Sequence, residues 1–523
     1  MSKMMEQKKV AIIGAGISGL AACKFIISKG MVPIVLDARG VIGGVWNETL
    51  KSTVLQTPTH MFRFSDFPWS KSVTAEFPMH NQVLDYIKSY AEHFGLLKYI
   101  RLNSKVVSIE YEGFSDEEIE GWTHWGHSGN AFAKGSKWRL NVVDAQTNAP
   151  LQEVVADFVV LCIGRFSDVP NIPNFPPNKG PEAFKAGKVL HSLQYSAMDF
   201  DSAANLIKDK RVTVVGFHKS ALDLAMECAN TNGPKNPCTL LYRTKHWNPP
   251  DTTPWGISLG FLYMNRFAEL MIHKPGEGLL LYLLVILFSP IRWLISKLVE
   301  THIKRKVKLA KYGMIPKQSF LQDISSCVYA GLPNNFYDKV DEGSIILKKA
   351  PSFSFCEEGI MIKGETKPVH SDLVVLATGY RGDLKLKDIF ASSTFRDYMF
   401  FGDSVVPMYR QCIHPRVPQL AVIGFSESNS NLYTSEIRSR WLAEFLDGTF
   451  KLPSVKEMEK DIANWEKCLK LYSGPFYKRG CIATLHNWYN DQLCKDMGWN
   501  PKRKKGFFAD LFLPYGPTDY AFP

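Results

Sequence analysis

The chain has 523 residues, 45% of them hydrophobic and 22% charged, with 62 Lys and Arg against 51 Asp and Glu for a net charge of +11. This composition supports a large apolar core, excludes a disordered or fibrous chain, and suits about three domains in length. The positive excess favours anionic partners such as nucleotides or acidic membrane surfaces. The basic runs at 292–311 and at Lys502-Arg503-Lys504-Lys505 carry no zinc-finger or RNA-recognition signature, so no nucleic acid is expected.

Met1 to Lys9 is polar and leads directly into a strand, so no signal peptide is expected and the default compartment is the cytoplasm. Residues 10–14 form a short β-rich apolar run. Gly14-Ala15-Gly16-Ile17-Ser18-Gly19 follows, then a helix-favouring run, then a second strand ending in Asp37. This is a βαβ unit with glycines where the first strand becomes the helix. They permit a tight turn, close approach of a pyrophosphate, and close helix–strand packing, while the helix N-terminus offers amides to the phosphates. Asp37 is placed to accept a hydrogen bond from a ribose hydroxyl. Gly43-Gly44-Val45-Trp46 suits a loop passing close to a flat cofactor, although any surface turn could carry the same residues.

A strand-like run, 157–164, leads into a stretch holding Pro170, Pro173, Pro176, Pro177 and Pro181, which reads as the exit from a first domain. A second strand–turn–helix runs from Arg211 through Gly216, followed by a strand at 238–244. Here His218 stands where the pattern wants its middle glycine, and Ala221 stands for the third. Gly216 and Ser220 flank the phosphate turn, and Arg243 follows the next strand where an NAD-type site would want an acid. A guanidinium there matches a 2′-phosphate, which favours NADPH over NADH.

From 249 to 316 the rhythm changes to aromatic and apolar helices, read as an insertion. Its run 279–288 is apolar without interruption but ends at Ser289-Pro290 and Arg292, too short for the roughly twenty residues of a membrane span. A buried helix pair is the first expectation, and a monotopic membrane-facing patch over 279–311, peripheral to the endoplasmic reticulum, is the second. The run 372–380, with Thr378 and Gly379, reads as a return to the first sheet. A helical region holding Trp465, Trp488 and Trp499 closes the chain. The ten cysteines are scattered without a CxxC pair, which points to free thiols rather than a disulfide framework.

Two dinucleotide units select a short list of flavoenzymes, and the lack of a paired redox cysteine removes the disulfide reductases. On Gly14/Gly16/Gly19, Gly43-Gly44-Val45-Trp46, Asp66-Phe67-Pro68, the run Gly187 to Tyr195, and Leu376-Ala377-Thr378-Gly379-Tyr380, the chain resembles the flavin-containing monooxygenase family over nearly its whole length. Within it, the chain resembles the plant branch that contains a pathogen-inducible pipecolate N-hydroxylase. Phe184-Lys185-Ala186-Gly187 carries one residue more than the family fingerprint, and Gln56 stands where animal relatives have an active-site asparagine.

The resemblance implies an α/β fold of two Rossmann-like domains, the second inserted in the first. FAD would bind 1–173 plus 371–523, and NADPH would bind 174–370, with the helical insertion at about 249–316. It also implies reaction through a C4a-hydroperoxyflavin, oxygenating a small amine, amino acid or sulfide with O2. N-hydroxylation is the leading reading. S-oxygenation, a Baeyer–Villiger or decarboxylative oxygenation, or a non-catalytic flavin-binding scaffold are the alternatives. Gln56 is then the catalytic candidate. No metal site or Ser/His/Asp constellation is expected, since the chemistry belongs to the cofactors, and the sequence carries no reading of oligomeric state.

Overall fold

The computed structural model describes residues 7–399 and 406–522. Its scaffold is a pair of five-stranded parallel sheets, as the two βαβ units require. The first sheet runs, edge to edge, Leu420–Val422, Phe158–Leu161, Lys9–Ile13, Val32–Leu36, Ile100–Arg101. Its central strands are continuous Val, Ile and Leu runs because helices and a second layer cover both faces. Ile12 and Val160 face each other in register and are fully buried, each stabilising the fold by about 1.5–3 kcal/mol. The helix Ile17–Ser28 lies on one face and packs against the helix Asn431–Leu446 from the far end of the chain. The described C-terminal segment thus completes the first domain.

The second sheet runs Ile345–Lys349, Cys238–Tyr242, Val212–Val215, Leu373–Leu376, Lys188–His191. Here the structure corrects the sequence reading. Leu373–Leu376 pairs in parallel with Val212–Val215 and with Lys188–His191, so it belongs to the second sheet. The chain returns to the first sheet only at Leu420–Val422, beside Phe158–Leu161. A boundary at 371 therefore cuts the second sheet. The four-residue run LVVL is buried on both faces in either assignment, so its hydrophobicity could not say which sheet it joins.

Two further expectations change. The apolar run at 279 is not a buried helix pair but one helix, Leu279–Lys306, that continues through Pro290 and leaves most of its large side chains exposed. Ser289 Oγ donates to the carbonyl of Ile286, in the turn where the ring removes a backbone donor. Two of the ten cysteines are also joined, Cys327 to Cys481 across 154 residues, while eight remain free. Only the fold brings these two together, with Cα atoms 5.7 Å apart.

Candidate active site

Each sheet carries a cavity at its topological switch point, where neighbouring strands turn to opposite sides and leave a crevice. In the first sheet that point lies between Lys9–Ile13 and Phe158–Leu161. The cavity there measures about 970 Å³ and is lined by Gly14, Gly16, Asp37, Gly43, Gly44, Val45 and Trp46 among others. The sequence-predicted residues of the first unit, Gly19 excepted, therefore line one cavity.

The turn is held tightly. Gly14 has φ +108° and its amide donates to Leu36 O at 2.8 Å, while a Cβ on it would stand 2.4 Å from Cys162 O. Gly19 does not line the cavity. It is buried, and a Cβ there would stand 1.8 Å from Gly14 O, so its part is to let helix and strand touch. Gly43 N donates to Ala15 O at 3.1 Å, which seats the second glycine loop on the first. Trp46 packs edge-on against Phe62 with ring centroids 5.8 Å apart, forming an aromatic wall.

Asp37 is buried at the lip of this cavity. Its Oδ2 accepts Ala15 N at 2.6 Å and its Oδ1 accepts Arg39 N at 2.8 Å. Each carboxylate oxygen keeps a further lone pair for a ligand hydroxyl. Arg39 in turn donates to Glu48 at 2.6 Å and to Asp168 at 2.5 Å, and Lys385 reaches Asp168 at 2.8 Å. This network ties the two walls of the crevice together.

The second cavity, about 750 Å³, opens between Val212–Val215 and Leu373–Leu376 and is lined by Gly216, Ser220, Arg243, Thr378, Gly379 and Gln56 among others. The correction to the strand order explains why Thr378 and Gly379 are here. They follow the neighbouring strand, and a Cβ on Gly216 would stand 2.4 Å from Ala377 O. Thr378 Oγ1 donates to Asn171 O at 2.5 Å and Asn171 Nδ2 donates back to Thr378 O at 3.0 Å, pinning the proline-rich linker to this rim. The helix Lys219–Asn232 begins at the cavity with no side-chain cap, so the partial positive charge of its N-terminus faces the space.

Arg243 is exposed and makes no ion pair among the described residues, leaving its guanidinium available. Lys245 does not join it, since its Nζ is bound to Gly313 O. His218 places its ring 4.7 Å from that of His246. Protein surrounds it although one face stays open to the cleft. Desolvation first, then His246 and Arg479, hold its pKa below the ordinary imidazole value, so it stands neutral there. Gln56 lies on the wall of this second cavity, not the first, and its Oε1 accepts Gly331 N at 2.9 Å.

The two cavities meet at Phe166, which lines both. Sequence reading missed this residue, together with Arg165 on one side and Arg479 on the other. The signal was available for the first two, because they follow the buried strand Phe158–Leu161 and residues just beyond a parallel strand's C-terminal end form ligand crevices. Arg479 is far away in sequence and gave no such cue. Glu427 connects the pair, accepting from Arg479 at 2.5 Å and lying 3.9 Å from Arg165 Nε. Among the described residues no group of three His, Cys, Asp or Glu is placed to hold a metal ion.

The residues present fit the two dinucleotides that the motifs imply. A glycine cradle that a single Cβ would fill, with a buried carboxylate at its lip, suits FAD. A second switch-point cleft with an unpaired guanidinium suits the 2′-phosphate of NADPH. Comparison with known proteins agrees. The flavin-binding monooxygenase-like family model matches residues 7–514. The chain is 40% identical over 520 residues to a probable flavin-containing monooxygenase 1 of Arabidopsis thaliana, covering 99% of this chain and 96% of that protein. It is 37% identical to a putative flavin-containing monooxygenase 2 of the same plant, over 95% of this chain and 99% of that one. In fold it is similar to an oxidised steroid monooxygenase bound to NADP, with a TM-score of 0.65 at 16% identity, over 94% of this chain and 98% of that one. The chain thus belongs to the flavin-binding monooxygenase family, and it is an enzyme that works with FAD and NADPH.

Proposed function

We propose that this enzyme N-hydroxylates a small amine that carries a carboxylate, an amino acid or a cyclic imino acid such as pipecolate. Arg479 carries this reading. It lines the second cavity with its guanidinium carbon 5.6 Å from the Phe166 ring, where the two clefts join, and its side chain stays 28% exposed beside Glu427. A substrate carboxylate would meet the exposed part of that guanidinium, a charge-assisted contact.

The same charges suit the nitrogen. Arg479, Arg165 and Arg243 outnumber the Glu427 carboxylate set between the first two, and with His218 neutral this excess of positive charge disfavours an ammonium and holds the amine as its free base. Only the neutral amine has the lone pair that attacks an electrophilic oxygen. Bound FAD supplies the oxygen-transfer chemistry, with electrons from NADPH and the oxygen atom from O2, the second oxygen leaving as water. The side chains bind and orient. Asp37 and the glycine turn fix one dinucleotide, Gly216, Ser220 and Arg243 fix the other, and Phe166, Tyr329 and Phe476 narrow the junction against water. Gln56, with its oxygen committed to Gly331, acts here as a wall of the second cleft.

The test supplies FAD-loaded enzyme, NADPH and O2 with pipecolate, an acyclic amino acid, an amine without a carboxylate, and a thioether. Mass spectrometry then identifies the product that gains one oxygen. Hydroxylamine formation from the carboxylated amines, with KM rising at least about tenfold when the carboxylate is absent, is the expected outcome. Sulfoxide formation from the thioether with no amine product would replace this reading with S-oxygenation.

A further inference from the structure

We propose that the Cys327–Cys481 disulfide is a thiol-exchange site that holds the wall of the NADPH cleft, firm when oxidised and loosened when a dithiol reduces it. Cys327 lies in the second domain, two residues beyond the helix Phe320–Ser325. Cys481 lies in the C-terminal region that completes the first domain, between the helices Val455–Ser473 and His486–Asp496. On one side of the bond Cys327, Val328, Tyr329 and Ala330 line the second cavity, and on the other side Phe476 and Arg479 line it. The bond therefore joins two halves of one cleft wall, each supplied by a different domain. Among the described residues it is the only disulfide.

The position of the wall depends on this link. Arg479 Nη2 donates to Cys327 O at 3.1 Å, and Arg165 Nη1 donates to Arg479 O at 2.7 Å. Beside them Ser473 Oγ donates to Ser325 O at 2.8 Å and Ser326 Oγ donates to Ser473 O at 3.3 Å. Water can replace each of these hydrogen bonds, so their net hold is modest without the covalent tie. Both cysteines also sit at left-handed turns, with φ +51° at Cys327 itself and +62° at Gly480 just before Cys481. That conformation is unfavourable for a residue with a Cβ. Opening the bond frees Cys327 to leave it, and the carbonyl that receives Arg479 turns with the backbone.

Accessibility makes this an exchange site and not an inert staple. Cys327 is partly exposed on the cleft, while Cys481 is buried. Seven of the eight free cysteines are buried. Burial pushes the thiols of Cys23 and Cys494 up to about 12 and those of Cys412 and Cys468 up to about 11, so they stay protonated and do not compete in exchange. One disulfide in a chain whose other cysteines remain thiols is not a stabilising framework.

The step balances with a dithiol as the only co-reactant. A thiolate entering the cleft attacks the Cys327 sulfur, the S–S bond breaks, and its electron pair leaves on the Cys481 sulfur, which takes up a proton. The second thiol of the reductant then attacks the mixed disulfide, releasing Cys327 as a thiol and the reductant as its own disulfide. Two electrons and two protons pass to the protein, and exchange with a disulfide reverses the step.

The experiment compares full-length, FAD-loaded wild type in two states, treated with glutathione disulfide or with dithiothreitol and then desalted without oxygen. Cys327→Ser and Cys481→Ser accompany it. Alkylation followed by intact mass counts the thiols, and the rate of anaerobic flavin bleaching against NADPH concentration gives the apparent Kd. Reduced wild type and both variants are expected to bind NADPH at least about threefold more weakly than oxidised wild type while keeping their flavin. Only wild type should respond to dithiothreitol and recover with glutathione disulfide. Should the variants lose FAD, the two states of wild type alone decide. Equal NADPH affinity in both states, no bleaching in either, or a mass showing that the bond never forms or never opens would overturn the proposal. So would loss of FAD from reduced wild type, which would make the bond a staple of the fold, or a dithiothreitol response that persists in Cys481→Ser.

Discussion

The carboxylate of Asp37 accepts the backbone amide of Ala15 at 2.6 Å, joining the end of the second strand to the middle of the glycine turn across 22 residues. One side chain thus fixes the shape of the phosphate turn and presents the acceptor that a ribose needs. Asp37→Asn preserves the volume but loses the charge, and an amide nitrogen cannot accept from both Ala15 and Arg39. A charge-assisted hydrogen bond is worth about 1.5–3 kcal/mol, so FAD affinity should fall about ten- to a hundredfold. Flavin absorbance per protein after gel filtration reads this directly. Unchanged stoichiometry at limiting FAD would remove Asp37 from the ribose site.

The glycines of the first turn should separate by phenotype. Gly16 has ordinary φ, and a Cβ there meets Gly44 Cα at 3.4 Å, so Gly16→Ala should fold and lose cofactor because the methyl lies where a pyrophosphate must approach. Gly19→Ala drives a methyl to 1.8 Å from Gly14 O inside the helix–strand contact and should destabilise the protein itself by about 1–3 kcal/mol or more. Melting curves with and without FAD distinguish them. Equal loss of melting temperature without added FAD would refute the division.

Much of this site could be read in the chain because the dinucleotide motifs are local. Gly14 to Gly19, Asp37 and Gly216 each act within one βαβ unit, and hydrophobic period and turn residues report such units. What escaped was nonlocal. Leu373–Leu376 could join either sheet until its pairing with Val212–Val215 was seen. Cys327 meets Cys481, and Arg479 reaches Phe166, only through the packing of the C-terminal region on both domains. The helix Leu279–Lys306 was underestimated because Pro290 was read as its end, whereas the helix continues through it.

Arg243 offers the sharpest test of nicotinamide selectivity. It is exposed and free of ion pairs among the described residues, so Arg243→Ala should leave stability unchanged. The KM for NADPH should rise about ten- to a hundredfold with little change for NADH, the loss of one charge-assisted contact to a 2′-phosphate. Anaerobic mixing with NADPH should bleach the oxidised flavin of wild type and bleach it more slowly in the variant. Equal effects on the two nucleotides would take Arg243 out of the phosphate site. No bleaching of FAD-replete wild type would mean that His218 closes the cleft and that the chain is a flavin-binding scaffold.

Acid should destabilise the fold through His414. This ring is buried, stacks on Tyr398 at 5.6 Å, and accepts Arg416 N on Nδ1 at 3.1 Å. Desolvation first, then the charge of Arg416, lowers its pKa from 6.5 to about 3. The unfolded chain therefore takes up a proton below pH 6.5 that the folded chain refuses until about pH 3. Stability is complete above the higher value and is lost as pH falls below it, by about 2 kcal/mol at pH 5 from this residue. His414→Asn keeps an acceptor near Nδ1 but does not titrate in this range. Denaturant unfolding at pH 7 and pH 5 should show a smaller acid loss in the variant than in wild type, by about that amount. An identical loss in both would mean that His414 is protonated in the native protein, and that other groups set its acid limit.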